Sequence, residues 1–387
     1  MVNGPLWCYF YAMKYVDNEN PMASMRFSCT QVSPNSLVYG TEDDLRKGLS
    51  SIETYAKPER VFVENNCSVS LVGDDVQGIA DQMDLPWPVY AVDRGGMKGS
   101  FEAGYSAASL RIEKEMKTKE KIPASVNVLG LSTVHMKGRE DAEEIRRLLS
   151  LSGIRVISMP GGGSNWEDIM DAPSASLNVV VRDELGLSLA KQMEQDFGTP
   201  YMSCGLPYGT DGTMAWLSEI IEKLGAGELT RASHEAAKLK EFLLRKGNNL
   251  ESLWGPLWFD AVLISAPPSE ALGIAETIRS EWIDTARLVI HAPCATEKTT
   301  PAADAIRIVM KNEKEISKDY EDWQGGLILA SSHETHLLTR MGKPFTGFHI
   351  ALPSHDEVHF SDLPQCGLRG AGYLYEQLWN AKLRKKG

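Results

Sequence analysis

Six cysteines are scattered through the chain, Cys8, Cys29, Cys67, Cys204, Cys294 and Cys366. No two form a C-x-x-C pair, so neither a zinc ribbon nor a thioredoxin-type motif is indicated. Thiolates this far apart in sequence suit an iron–sulfur cluster held between loops, or between chains, better than a local metal knuckle. Cys67 has the most informative setting. It follows Val61-Phe62-Val63, an apolar β-branched run of the kind a buried parallel strand uses, closed by Glu64-Asn65-Asn66. Beyond it, Val69, Val72, Val76 and Ile79 fall near helical spacing, which predicts a helix over residues 68–80. Open α/β sheets take ligands at such strand ends. The N–H groups opening the next helix favour a thiolate there. The competing reading is a small buried hydrophobe, the commoner fate of a lone cysteine. Cys8, in Gly4-Pro5-Leu6-Trp7-Cys8, is a second thiol in a matching turn, and Cys29 is a third candidate.

Five of the eight histidines fall together: His333, His336, His349, His355 and His359. His349 ends a predicted strand over 345–350. His291 ends another over 287–291, with Cys294 just beyond it, and the two are expected to line one cavity with His349. Imidazole and thiol at strand ends can pass protons or bind a metal. Gly161, Gly162 and Gly163 form a loop between a predicted strand at 156–159 and a helix, with Ser164 as the expected cap. Such a loop can cradle an anion or phosphate; a plain turn into a helix is the alternative. It carries no Gly-Lys-Ser/Thr and no G-x-G-x-x-G, so it is not a nucleotide loop.

The elements that must position these residues alternate strand and helix three times. That predicts an α/β fold with three Rossmann-like parallel-sheet domains, at residues 1–121, 122–255 and 256–387. The charged run 114–121 reads as a linker, and residues 228–249 as an amphipathic helix leading to the third module. A short strand is predicted at 25–30. Thr41, with Asp44 three residues on, reads as a capping box.

Composition sets limits. The chain is 43% hydrophobic and 24% charged, ordinary for a globular protein. A net charge of −12 argues against nucleic-acid binding through a basic face. No apolar run reaches the roughly 20 residues of a membrane span. Residues 1–15 lack a basic segment and a small-residue cleavage site, so no signal peptide is expected and a cytoplasmic location is. The cysteines would stay reduced there.

Three ordered motifs carry a resemblance. Gly4-Pro5-Leu6-Trp7-Cys8, then Val38-Tyr39-Gly40-Thr41-Glu42-Asp43-Asp44-Leu45, then Cys67 with Gly73-Asp74-Asp75, resemble G-P-x-G-C, V-F-G-G-E-x-x-L and C-x-x-x-L-I-G-D-D of the nitrogenase component 1 family. That family spans nitrogenase subunits, a cofactor-assembly scaffold pair, protochlorophyllide reductase subunits and related reductases. The terminal Gly367-Leu368-Arg369-Gly370 is similar to its G-Y-R-G, closer to β-type than α-type subunits.

The resemblance implies an ATP-dependent two-component reductase. Cys8 and Cys67, with Cys29 as a candidate third ligand, would bind a 4Fe-4S or larger cluster. A second metal or a tetrapyrrole is the further cofactor class it admits. The implied partners are a homologous subunit, self or paralogue, across the cluster, and a separate ATP-hydrolysing iron protein. Two thiols cannot complete the usual four of a cubane, and the family's first cluster cysteine has no counterpart in the seven residues before Cys8. His349 and Cys294 are the implied catalytic residues, near the Gly161–Gly163 loop. Nitrogenase α-type subunits use a histidine at the position of His349 on their cofactor. Two departures stand out. Trp7 replaces the motif's glycine, which implies a smaller cluster or different packing. Val181-Arg182-Asp183 replaces the α-type cofactor cysteine, which argues against an iron–molybdenum-type cofactor. A scaffold that carries a maturing cluster, and a metal-free α/β binding protein, are the alternatives.

Overall fold

The computed structural model describes residues 1–20, 23–292, 306–310 and 313–384. It is a mixed α/β protein with three parallel sheets, in two compact units, Met1–Glu115 and Met116–Gly387.

The first unit runs β1 (Val2–Asn3), α1 (Leu6–Glu19), α2 (Ser36–Tyr39), α3 (Glu42–Tyr55), β2 (Val61–Asn65), α4 (Cys67–Val72), α5 (Val76–Asp81), β3 (Val89–Val92) and α6 (Phe101–Glu113). Its sheet has the order β1-β2-β3. Val61 and Val63 of the central strand pack against Leu45, Leu49 and Ile52 of α3 and Ile79 of α5. Apolar residues in α3 recur at helical spacing, which is why that helix buries one face.

The second unit holds two sheets. The first contains β4 (Ile122–Leu129), β5 (Arg155–Ser158), β6 (Ala175–Val180) and β7 (Tyr201–Ser203), in the order β5-β4-β6-β7. Helices α7 (Gly138–Leu151), α8 (Trp166–Asp171), α9 (Asp183–Phe197) and α10 (Thr210–Leu224) connect and follow them. The long α11 (Thr230–Trp254) leads on. The second sheet has β8 (Trp258–Ser265), β9 (Asp284–Ala292), β10 (Ile306–Met310), β11 (Leu327–Ala330) and β12 (Thr346–His349), in the order β10-β9-β8-β11-β12. It carries α12 (Pro268–Thr277), α13 (Glu313–Glu321) and α14 (Ser332–Arg340), and α15 (Gly367–Arg384) closes the chain. Both sheets are doubly wound around their first strand. Their central strands are near-continuous apolar runs because helices cover both faces: Val126, Val128, Val262, Leu263 and Ile264 are fully buried. One apolar core joins the two sheets, from Val126 and Leu177 through Val262 and Ile290 to Leu374 of α15.

Some local expectations are corrected. Residues 25–30 do not form a strand; a 3₁₀ turn spans Ser24–Arg26, and Cys29 makes only an isolated bridge to Val2. The predicted helix over 68–80 is two helices, because Gly73 turns left-handed at φ +82° and stops α4 after six residues. Thr41 does not cap α3 with its side chain; its hydroxyl and its N–H both bind Asp74 Oδ2, at 2.7 and 2.6 Å. Among the described residues no helix is long and apolar enough to cross a membrane.

Candidate functional site

The carboxyl end of β2 organises the site. Asn66 follows the strand and caps α4, its Oδ1 accepting from the Val69 N–H at 3.0 Å and from Ser68 Oγ at 3.1 Å. Its other side-chain atom, Nδ2, donates to Cys8 Sγ at 3.2 Å. Cys67 is the next residue in the chain. One asparagine thus ties the sulfur of Cys8 to the backbone that carries Cys67. Both thiols are free and exposed. Neither is a buried hydrophobe, the competing reading of such cysteines.

Gly4 makes this approach possible. A Cβ there would lie 2.5 Å from Asn66 Cγ, so no larger residue fits without moving the asparagine. The turn is held from beneath. Thr30 Oγ1 accepts from the Gly4 N–H at 3.0 Å and donates to Asn3 Oδ1 at 2.9 Å. Asn3 Nδ2 in turn donates to Asn65 Oδ1 at 3.0 Å. Cys29 belongs to this support. Its Sγ donates to Gly4 O at 3.3 Å and accepts from the Gln31 N–H at 3.4 Å. Burial pushes the Cys29 thiol up, against the Gln31 N–H bond, and the neighbouring Cys8 pushes it the same way. A protonated Cys29 suits the bond it donates to Gly4.

The loop after β3 covers the other side. A Cβ on Gly96 would lie 3.3 Å from Cys67 Sγ, and one on Gly95 would meet the Asn66 carbonyl at 2.9 Å. Asp93 anchors the loop, accepting from Ser70 Oγ at 2.7 Å and Asn65 Nδ2 at 3.3 Å, and pairing with Lys98. Burial alone would raise the Asp93 carboxyl, but the bonds from Lys98, Ser70 and Asn65 outweigh it and hold the group below the ordinary range. Large apolar side chains stand exposed in these same segments. Trp7 is 70% exposed, Leu71 69% and Met97 66%, with Leu6, Phe10, Tyr11 and Phe101 also exposed. Trp7, in place of the motif's glycine, packs on Phe10 and Tyr11 with ring centroids 6.2 and 6.4 Å apart.

Among the described residues no three metal-binding side chains are preassembled. The donor set is two accessible thiols, Cys8 in α1 and Cys67 at the start of α4, joined through Asn66. That fits an iron–sulfur cluster for which this chain supplies part of the ligands.

The second unit holds the other candidates. Gly161 and Gly163 are left-handed, at φ +74° and +95°, and a Cβ on Gly162 would strike Leu131 Cδ1 at 2.8 Å. The loop bonds to its own surroundings: Gly161 O accepts from the Thr133 N–H at 2.8 Å, and the Gly162 N–H donates to Met159 O at 2.8 Å. Ser164 is not the helix cap. Its Oγ accepts from the Met159 N–H, and Asn165 caps α8 instead, in a reciprocal box with Asp168. His349 is buried, with Nδ1 2.8 Å from Ser354 Oγ and Nε2 3.4 Å from both Thr335 Oγ1 and Asp356 Oδ1. Cys294 lies outside the described residues. His291 ends β9 and His349 ends β12, which are not neighbouring strands. Two strands, β8 and β11, separate β9 from β12, because the doubly wound order sends them to opposite flanks.

Arg182 was legible only as a departure from a motif. Fully buried at the end of β6, it donates from Nε to Glu270 Oε1 at 2.9 Å and from NH1 to Gly130 O at 3.2 Å. Asp141 lies 3.9 Å from its NH2, and His135 Nδ1 3.6 Å from Glu270. Burial would raise Glu270, but the Arg182 charge outweighs it and holds the carboxyl down at about 2. Asp141, less well paired, is pushed up to about 6 by burial. A guanidinium cannot coordinate iron, and this one is fully buried and committed to Glu270 and Gly130 O. These residues do not fit an iron–molybdenum-type cofactor held at this strand end.

Comparison with known proteins agrees with the fold. The model of the nitrogenase component 1 type oxidoreductase family matches residues 1–383. The nitrogenase iron-molybdenum cofactor biosynthesis protein NifE of Clostridium pasteurianum is 28% identical over 260 residues, 65% of this chain but only 54% of that protein. One component of the light-independent protochlorophyllide reductase of Chloroherpeton thalassium is 22% identical over 373 residues, 92% of this chain and 69% of that protein. NifE of Nostoc sp. is 27% identical over 408 residues, 98% and 79% of the two chains. A solved structure of nitrogenase Cp1 at pH 6.5 superposes with a TM-score of 0.78 at 17% identity, covering 100% of this chain and 88% of that one. That likeness shows the fold.

Proposed function

This chain belongs to the nitrogenase component 1 type oxidoreductase family, and from that premise we propose that it is one subunit of a nitrogenase-like two-component reductase. Cys8 and Cys67 hold an iron–sulfur cluster at a contact with a homologous subunit, self or paralogue. The observation that carries this reading is the bond from Asn66, the residue before Cys67, to the Cys8 sulfur, with both thiols exposed. The apolar residues Trp7, Leu71 and Met97 beside them support a chain-to-chain contact, since large exposed apolar groups mark interaction surfaces.

An iron–sulfur cluster bound there supplies one-electron transfer. The electrons come from a separate ATP-hydrolysing iron protein. Asn66 orients the Cys8 sulfur and caps the helix that begins at Cys67. The Gly95-Gly96 loop covers Cys67, and the partner's surface excludes water from Trp7 and its neighbours. Cys29 steadies the Gly4 turn and stands in reserve as a third ligand. Substrate binds in the cleft of the middle and C-terminal modules, near Gly161–Gly163 and His349; Cys294, the other catalytic candidate, lies outside the described residues.

A second reading, a scaffold that carries a maturing cluster, is favoured by Arg182 in the place of a cofactor cysteine and by the cofactor-biosynthesis relatives. Anaerobic assay with an iron protein and ATP separates the two. The reductase reading expects many turnovers of a reducible substrate per chain. Release of cluster without turnover would replace it with the scaffold, and a colourless, iron-free protein would overturn both.

A further inference from the structure

Asp141 is only half satisfied. It stands in the first turn of α7, and its Oδ1 accepts from the Gln365 and Cys366 N–H groups at 2.7 and 2.9 Å. Its other oxygen, Oδ2, makes no hydrogen bond; Arg182 NH2 lies 3.9 Å away. The Tyr208 hydroxyl and Gln365 Nε2 are buried and equally without a hydrogen bond. All three residues are 1–2% exposed. They belong to one neighbourhood. The Gln365 N–H is itself one of the donors to Asp141, and the Gly367 N–H donates to Pro207 O at 2.6 Å, which sets the Tyr208 loop against the start of α15. A Cβ on Gly273 would lie 2.6 Å from Tyr208 Cδ2, so the ring packs on α12, one turn after Glu270. Burial pushes the Tyr208 phenol well up, and Glu270 and Asp141 push it the same way, against Arg182. The hydroxyl therefore keeps its proton at neutral pH and has to place it on an acceptor.

We propose that a resident water bridges Asp141 Oδ2, Tyr208 OH and Gln365 Nε2, and so completes the hydrogen bonding beside the Arg182–Glu270 pair. The chemistry of the three groups selects the ligand. The carboxylate oxygen only accepts, the amide nitrogen only donates, and the hydroxyl does both. A cation would meet the Gln365 amide hydrogens and the Arg182 charge. An anion would meet the Asp141 carboxylate. The neutral group that both accepts and donates, and is small enough for a place this enclosed, is water. Three bonds are also the usual number for a water inside a protein. This one donates to Asp141 Oδ2 and accepts from Gln365 Nε2 and the Tyr208 hydroxyl. Arg182 is not among its partners, since its Nε and NH1 donate to Glu270 Oε1 and Gly130 O. The water thus ties together α7, the loop between β7 and α10, and the residues entering α15. Buried polar atoms in folded proteins are paired in this way where no protein group reaches them. The site stands independently of the reductase reading.

Water-oxygen magnetic relaxation dispersion on the full-length protein counts the waters held inside it, and unfolding midpoints weigh what this one contributes. Tyr208→Phe keeps the ring and removes the hydroxyl; Gln365→Met keeps the length and removes the amide. Each should lower the unfolding midpoint by about 2–4 °C, the effect of losing one hydrogen bond to an occupied site. The double variant should fall by less than the sum of the two, because both act on one water, and it should hold one long-lived water fewer than the wild type. Groups with no partner at all would behave oppositely: removing them would relieve a desolvation cost, and the midpoint would stay or rise. An unchanged or raised midpoint in Tyr208→Phe, or an equal count of long-lived waters in the wild type and the double variant, would overturn the proposal.

Discussion

Glu270→Gln tests the closed crevice of the middle sheet. The perturbation keeps the shape of the side chain and removes its charge. Arg182 has no exposed surface, so its guanidinium cannot regain water. It keeps Gly130 O at 3.2 Å and has Asp141, 3.9 Å away, as the remaining ion-pair partner. Breaking a buried pair in this way costs about 3–5 kcal/mol. At about 2–4 °C per kcal/mol for a unit of this size, the midpoint of unfolding should fall by roughly 6–20 °C.

The pH dependence has a definite sign. Glu270 is depressed from 4.5 to about 2 in the fold. Its contribution is therefore full above pH 4.5 and fades as pH falls toward about 2. The deficit of Glu270→Gln should be largest at neutral pH and shrink in acid. Asp141 acts in the opposite sense. Its pKa is raised from 3.8 to about 6, so it subtracts stability as pH rises through that window. In Glu270→Gln it becomes the carboxylate left beside Arg182, loses the repulsion of Glu270, and should ionise at lower pH. The assay is thermal and urea unfolding from about pH 4 to 8. The double variant Arg182→Met/Glu270→Leu should recover part of the loss, because the uncompensated guanidinium is gone and Asp141, left without its cation, can take up a proton. A single variant within about 1 kcal/mol of wild type, or a double variant as unstable as the single, would refute the reasoning.

Two further substitutions probe the cysteine turn. Gly4→Ala places a Cβ where Asn66 Cγ stands, 2.5 Å away; it should displace the asparagine and lower both the unfolding midpoint and the iron retained after anaerobic purification. Asn66→Ala removes the α4 cap and the bond to Cys8 together; circular dichroism and urea unfolding should register about 1 kcal/mol of lost stability for the cap, and iron analysis a larger proportional loss of metal.

Much of the fold was legible because it rests on local periodicity. Val61-Phe62-Val63 announced β2, and the amphipathic helix predicted at 228–249 corresponds to α11, Thr230–Trp254. The failures were also local, where two signals compete within a few residues. Helical spacing at Val69 and Val76 ran across Gly73, and the left-handed turn there won. Ser164 and Asn165 are both good caps, and the reciprocal bond to Asp168 selected the second. Cys8 and Cys67 were visible from their turns and motif. What joins them was not: the Asn66–Cys8 bond spans 58 residues. Arg182 and Glu270, 88 residues apart, leave no trace of their pairing in either local sequence.

The most direct measurement is iron and acid-labile sulfide per chain, after anaerobic purification, in Cys67→Ala beside Cys366→Ala. Cys67 is exposed next to the Cys8 contact, whereas Cys366 is fully buried beside Asp141. Cys67→Ala should lose most of its iron and Cys366→Ala should keep it. Equal iron in the two proteins would contradict the account.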